Sequence, residues 1–360
     1  MKKCIVNSGI LLTSALAALF LGGCSGSCLK CESGVSLAEG ELLQPAKTIT
    51  LPNKYNSPDG MTIGKDGNIY IAMNNVGDQS YPAKICTISP SDEITLFSDL
   101  PAHPKTGKVS PLGIVFGSDG NLYVADNQTF VTEERNLSRL LRVNVENGKA
   151  KGVDVVATGL NMANGLSAFG DYIVVNDTNI DPGYPLTSGT YRFTIQQLDK
   201  GPVNVSGVGD PNLIVQLKTQ NKDHQVGANG VAYDKAGNMF VCNFGDAEIW
   251  KTTFKANGNV DSFEVLCKGQ GMVCVDGLQI DEAGLLWTAD FLGNAIASIC
   301  PDCGEVTIVA KNKPGDGSNG MDAPSECISR GNKVYVSNID LTYGPNTGDE
   351  IHTMTVYELP

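Results

Sequence analysis

One motif, a short strand, a tight turn and a second strand, recurs along this chain with a period of roughly 50 residues, the range in which propellers and other repeat arrays are considered. Six copies begin PDGMTIGKDGNIYIAMN at Pro58, PLGIVFGSDGNLYVADN at Pro111, ANGLSAFGDYIVVND at Ala163, ANGVAYDKAGNMFVCN at Ala228, VDGLQIDEAGLLWTAD at Val275 and PSECISRGNKVYVSN at Pro324. The turn is written in residues such as Lys65-Asp66-Gly67-Asn68 and Ser118-Asp119-Gly120-Asn121, where Gly supplies positive φ and Asp or Asn tolerates it. Second strands follow at Ile69 to Ala72 and Leu122 to Ala125.

Two more strand-like runs complete each unit, Ala83 to Ile88 and Glu93 to Phe97 in the first, Leu140 to Val145 and Val153 to Ala157 in the second. Four strands make one propeller blade. The last unit supplies only three, ending at Met354 to Leu359, while an orphan strand, Lys47 to Leu51, precedes the first. Pairing these two ends closes the ring and leaves no open sheet edge between the first and last blades. The sequence therefore predicts an all-β fold, a six-bladed β-propeller with four antiparallel strands per blade and the last blade closed by the N-terminal strand. Regular repetition over about 300 residues sets a β-sandwich aside.

The first residues differ from the rest. Met1, Lys2 and Lys3 precede a mostly apolar run from Ile10 to Gly23 that ends at Cys24, the pattern of a secretory signal. The run is too short for a typical spanning helix. Leu21-Gly22-Gly23-Cys24 resembles a bacterial lipobox, in which cleavage exposes the cysteine for lipid attachment; an ordinary signal peptide containing a cysteine is the alternative. This reading divides the chain into a lipoprotein signal peptide (1–23), a lipidated Ser- and Gly-rich tether (24–45) and the propeller (46–360). It places the protein at the cell envelope, anchored to the membrane through the lipid on Cys24, and Ser25 is compatible with outer-membrane sorting. Cleavage removes Lys2 and Lys3 and no acid, which takes the net charge from −13 to −15. Nucleic acid is a poor partner for such a surface. A bound cation is compatible with it.

If every first strand lines the channel, the residue just before it sits at one mouth. These residues are Asp59, Leu112, Asn164, Asn229, Asp276 and Ser325. Singly, Asp-Gly and Asn-Gly are ordinary turn chemistry. Together, two carboxylates and two amides form a hard-oxygen set suited to Ca2+, with waters and a small-molecule substrate or ligand filling the other positions. His103, His224 and His352 all fall in links on that side, and His224 is the expected general base or substrate contact, a solvated loop histidine being the alternative. The longest loops lie there too, with Phe130, Tyr184 and Tyr343 as an aromatic wall. Asp126, Asn176, Asn243 and Asp290 read as strand-end hydrogen-bonding residues.

Cysteine usage adds little chemistry. Eleven are present, and nine remain once Cys4 and Cys24 are set aside, an odd count. Cys267 and Cys274 flank one loop and could be bridged in an exported protein. Cys300 with Cys303, and Cys28 with Cys31, have a zinc-like spacing, but nothing brings the tether to that hairpin tip.

From about Lys47 to Pro360 the chain resembles the calcium-dependent six-bladed propellers that include gluconolactonase, senescence marker protein, paraoxonase and diisopropyl fluorophosphatase. The closing APSECISRGNKVYVSN is similar to that family's last-blade motif. The resemblance implies Asp59, Asn164, Asn229 and Asp276 as metal ligands from blades one, three, four and five, and Asp276 as the carboxylate that activates water or attacks. Two positions depart from the pattern: Asp59 stands where the family presents Glu, and Met162 where sugar lactonases tend to carry Arg. The implied function is a calcium-dependent hydrolase of a lactone or related ester. A non-catalytic propeller lipoprotein binding a ligand or protein at the envelope is the alternative.

Overall fold

The computed structural model describes residues 34–38, 40–313 and 320–360. The expected signal peptide, Cys24 and the first part of the expected tether lie outside them. Among the described residues no helix is long and apolar enough to cross a membrane.

Six sheets of four antiparallel strands stand around an axis, the second extended by a short fifth strand, Val203–Asn204, parallel to Lys149–Leu160, and each begins at the inner strand with the motif that repeats in the sequence. Blade one comprises Pro58–Ile63, Ile69–Met73, Lys84–Ile88 and Ile94–Asp99. The inner strands of blades two to five are Pro111–Phe116, Ala163–Phe169, Ala228–Tyr233 and Leu278–Ile280. Blade six takes Pro324–Arg330, Lys333–Asn338 and Thr353–Glu358 from the C-terminus and Lys47–Thr50 from the other end of the propeller sequence. That outermost strand pairs in register, Lys47 opposite Val356 and Thr50 opposite Thr353, as the orphan strand predicted.

The turn chemistry explains why each copy begins the same way. Gly67 and Gly120 hold φ of +77° and +80°. Asp66 accepts the backbone N–H of Asn68 and the hydroxyl of Tyr70, and Asp119 repeats both contacts with Asn121 and Tyr123. In blade five Asp281 accepts Leu285 N–H and the Trp287 indole N–H. One carboxylate thus fixes the turn and pins the large aromatic of the second strand into the core.

That core is divided into wedges. The second strands of blades one, two, four and five are buried along their whole length, and apolar clusters fill the gaps between neighbouring blades: Met61 and Ile71 meet Tyr335 and Met354 across the closing seam, and Phe240 and Ile249 meet Leu278 and Leu286 between blades four and five. A further cluster, Leu112, Phe244, Phe291, Leu292 and Ile339, lies at the axial mouth. Val35, Leu37 and Leu43 pack against the wedge between blades five and six, and Leu43 N–H donates to Val309 O at 2.8 Å. The stretch expected to be tether is therefore docked on the body from Val35 onward.

Two cysteine readings change. Cys267 and Cys274 are buried but unbridged. Cys267 faces the wedge between blades four and five, whereas the Cys274 thiol turns to the mouth cluster, accepts Leu292 N–H and donates to Asp290. Cys300 is disulfide-bonded.

Candidate metal centre at the propeller mouth

The residue after each mouth position decides how closely the inner strands approach. In five blades it is glycine: Gly60, Gly113, Gly165, Gly230 and Gly277. A Cβ on Gly60 would lie 2.4 Å from Leu112 O, and one on Gly165 would lie 2.2 Å from Asn229 O. Contacts this short are not tolerated, so the ring closes only because these side chains are missing. Neighbouring strands then bond directly, Gly230 N–H to Asp276 O at 2.9 Å and Gly277 N–H to Ser325 O at 2.8 Å.

Tight closure brings the mouth residues together. Asp59, Asn164, Asn229, Asp276 and Ser325 form the boundary between two cavities. The inner one, also lined by Gln279 and Glu326, measures ≈ 20 Å³, room for about one water-sized sphere. The outer one, ≈ 360 Å³, opens at the mouth and is walled by Leu112, Phe130, Met162, Phe244, Phe291, Ile339 and Tyr343. No lysine or arginine lines either.

In the sixth blade the glycine position is occupied by Glu326, and sequence reasoning missed it. Its Oε2 accepts Met61 N–H at 2.7 Å and its Oε1 accepts Gln279 Nε2–H at 2.9 Å, while Gln279 also donates to Met61 O. The signal was present: five aligned copies carry Gly there and the sixth carries Glu. Phe244 and Phe291 were missed as well, although each directly follows the strand-end residue of its blade, Asn243 or Asp290.

Three carboxyls thus share a small enclosed volume. Burial pushes the Asp59 carboxyl up to about 7, against the pull of a hydrogen bond to Ser325. Burial, then the charges of Asp59 and Glu326, drive the Asp276 carboxyl well above the carboxylate range, against a hydrogen bond from Asn229. Glu326 is raised to about 8, again chiefly by burial. An anionic cluster of this kind is unstable without a compensating charge. The ligand atoms on offer are all oxygen, from two aspartates, a glutamate, three side-chain amides and a hydroxyl, with no sulfur or imidazole in the lining. This composition fits a hard divalent cation such as calcium, and the inner volume fits a single ion.

The histidines separate. His224 does not line either cavity; its Nδ1 lies 3.4 Å from the Tyr343 hydroxyl, so it reaches the mouth only through that ring. His103 Nδ1 accepts Lys105 N–H within its own loop. His352 is buried beside Asp340. Of the expected aromatic wall, Phe130 and Tyr343 are in place, while Tyr184 is 57% exposed and donates to Gln220 O. The strand-end residues act as read: Asn176 donates to the carbonyl of Asn229, and Asp126 pairs with Arg139.

No protein-family model matches the sequence, and no curated protein is similar to it. Solved structures do share its fold. A luciferin-regenerating enzyme superposes with a TM-score of 0.56 at 16% identity, covering 87% of this chain and 97% of its own. A gluconolactonase from Xanthomonas campestris gives 0.55 at 14% identity, with coverage of 90% and 96%. The PQQ-bound aldose sugar dehydrogenase from Streptomyces coelicolor gives 0.55 at 14%, with coverage of 87% and 99%. Proteins with such different names on one scaffold show that the scaffold is shared and that the reaction must be argued from the site. What these likenesses establish for this chain is its fold, a six-bladed propeller of the kind gluconolactonases also adopt.

Proposed function

We propose that this protein is a calcium-dependent hydrolase of a lactone or related ester with an apolar body. One observation carries the reading: a chamber for a single ion-sized sphere, walled by three carboxylates and three amides and by no basic side chain, opens directly into an apolar cavity of ligand size. Bound calcium would supply Lewis acidity toward a carbonyl oxygen and a fixed anchor for it. Asp59, Asn164, Asn229 and Asp276 would hold the ion, with the Glu326 charge behind them. Asp276, oriented by Asn229, takes the proton of the attacking water at a carboxylate oxygen and returns it to the leaving alkoxide oxygen as the acyl C–O bond breaks. Leu112, Met162, Phe244 and Phe291 seat the substrate body and exclude bulk water. Tyr343, steadied by His224, offers a hydroxyl to the polar end of the substrate. Met162 in this wall favours an apolar ester or lactone over a polyhydroxylated sugar lactone. An envelope location with a lipid at Cys24 belongs to the same proposal and rests on the N-terminal sequence alone.

A panel of lactones and aryl esters, assayed with calcium and with chelator, tests it. Turnover that chelator abolishes and Asp276→Asn removes supports the hydrolase. Chelator-induced melting with no turnover on any substrate sinks it and leaves a calcium-stabilised binding propeller.

A further inference from the structure

Three aromatic rings from successive blades meet in the wall of the outer cavity. Phe244 follows the second strand of blade four, Phe291 that of blade five, and Tyr343 comes from the long connection of blade six. Their centroids form a nearly equilateral triangle: 6.2 Å from Phe244 to Phe291, 6.4 Å from Phe244 to Tyr343 and 6.2 Å from Phe291 to Tyr343. The planes are tilted by 47°, 56° and 47°, so no pair stacks and all three lean around one axis. A cation seated about 4 Å above the middle of such a triangle lies within about 6 Å of every centroid, the reach of a cation–π contact.

The rings are held in this arrangement. Phe244 N–H donates to Gly227 O at 3.0 Å, and Asn346 Nδ2–H donates to Phe291 O at 2.7 Å, which fastens the loop of Tyr343 to blade five. The His224 ring packs against Tyr343 at a centroid distance of 5.7 Å.

Charge points the same way. Asp59 and Asp276 border the same cavity, Glu326 lies in the chamber beyond them, and no lysine or arginine lines either space. A divalent ion in the chamber offsets two of the three carboxylate charges and leaves one negative charge beside the cavity. Apart from the mouth residues, Thr342 and the Tyr343 hydroxyl, the wall side chains offer no oxygen acceptor. A primary ammonium, with three N–H donors to satisfy, is poorly served there. A quaternary ammonium has none, and ring faces give it an attraction that Leu112 or Met162 cannot supply.

We infer that Phe244, Phe291 and Tyr343 form a recognition site for a quaternary ammonium group. As a statement about substrate, an ester whose apolar body ends in such a cation, this rests on the hydrolase proposed above. As a statement about binding it stands without it.

The test is calorimetric titration of calcium-loaded full-length protein with choline and with 3,3-dimethylbutan-1-ol, the same shape with carbon in place of the charged nitrogen. Choline should bind at one site per chain, about tenfold tighter than the alcohol. Tyr343→Leu, at a position 37% exposed where folding is spared, should remove that preference and leave the affinity for the alcohol nearly unchanged. Phe244→Leu, with its Tm measured alongside, should act in the same direction. Neither probe contains an ester or lactone bond, so an absence of turnover on every substrate would sink the hydrolase and leave this result untouched. The inference is overturned if the alcohol binds as tightly as choline, if neither binds, or if the preference for choline survives Tyr343→Leu and disappears in Asp276→Asn. The last result would mean that the acids alone hold the cation.

Discussion

Buried carboxylates occur in this protein in two settings that the fold treats in opposite ways. At the ends of second strands, Asp290 accepts the backbone N–H groups of Val273, Cys274 and Gly293, Asp177 accepts those of Asn161, Met162 and Asn179, and Asp126 accepts Ser110 N–H and the Arg139 guanidinium. These acids are satisfied by protein. On the axis, among the described residues, no backbone N–H reaches Asp59 or Asp276, and no basic side chain lines the cavities they border. Stabilising a carboxylate takes hydrogen bonds or opposite charge: the strand ends receive several backbone N–H groups or, at Asp126, an arginine, whereas Asp59 and Asp276 each receive a single side-chain hydrogen bond, from Ser325 and Asn229, and no basic partner. The contrast teaches that burial alone does not mark a site; burial without provision does.

The sharpest way to break this contrast is to neutralise one axial acid. Asp276→Asn should lower turnover on the order of 10³-fold, within the range for loss of a general base, while the metal-free variant is at least as stable to urea as wild type, because an uncompensated buried charge has gone. Similar instability in Asp276→Asn and in a strand-end variant would erase the distinction. Arg139→Met supplies the other arm: it leaves the Asp126 charge buried and should cost about 3–5 kcal/mol in urea denaturation, equally with and without calcium. Calcium at about 100 times its Kd should add about 2.7 kcal/mol to the wild-type protein, seen as a rise in Tm, and nothing to Asp276→Asn. The smallest effect is expected of Glu326→Gln, which removes a charge from behind the ring: calcium affinity should fall about tenfold, or 1.4 kcal/mol, in a calorimetric titration, with turnover at saturating calcium nearly unchanged.

Much of this was legible because a propeller repeats its errors and its rules alike. Period and turn residues gave six blades and the closing strand, and position relative to the inner strand gave Asp59, Asn164, Asn229 and Asp276 as neighbours across more than 200 residues of chain. Glu326 was passed over because the sixth copy was matched by its Pro-Ser opening and its Gly turn, whereas the informative comparison was with the glycine column that the ring needs for closure. Cys267 and Cys274 illustrate the reverse failure: close in sequence, they lie on opposite sides of a strand entry, one facing a wedge and one facing the mouth. His224 fell in the right loop, but a loop position fixes only which end of the tunnel a side chain occupies, not whether it reaches the cavity.

The most direct measurement is long-wavelength anomalous diffraction from crystals grown with calcium. A single anomalous peak within bonding distance of the side-chain oxygens of Asp59, Asn164, Asn229 and Asp276 is the expected result. Water alone in that chamber at saturating calcium, with the carboxyls hydrogen-bonded to one another, would contradict it and leave the axis with no ion to hold.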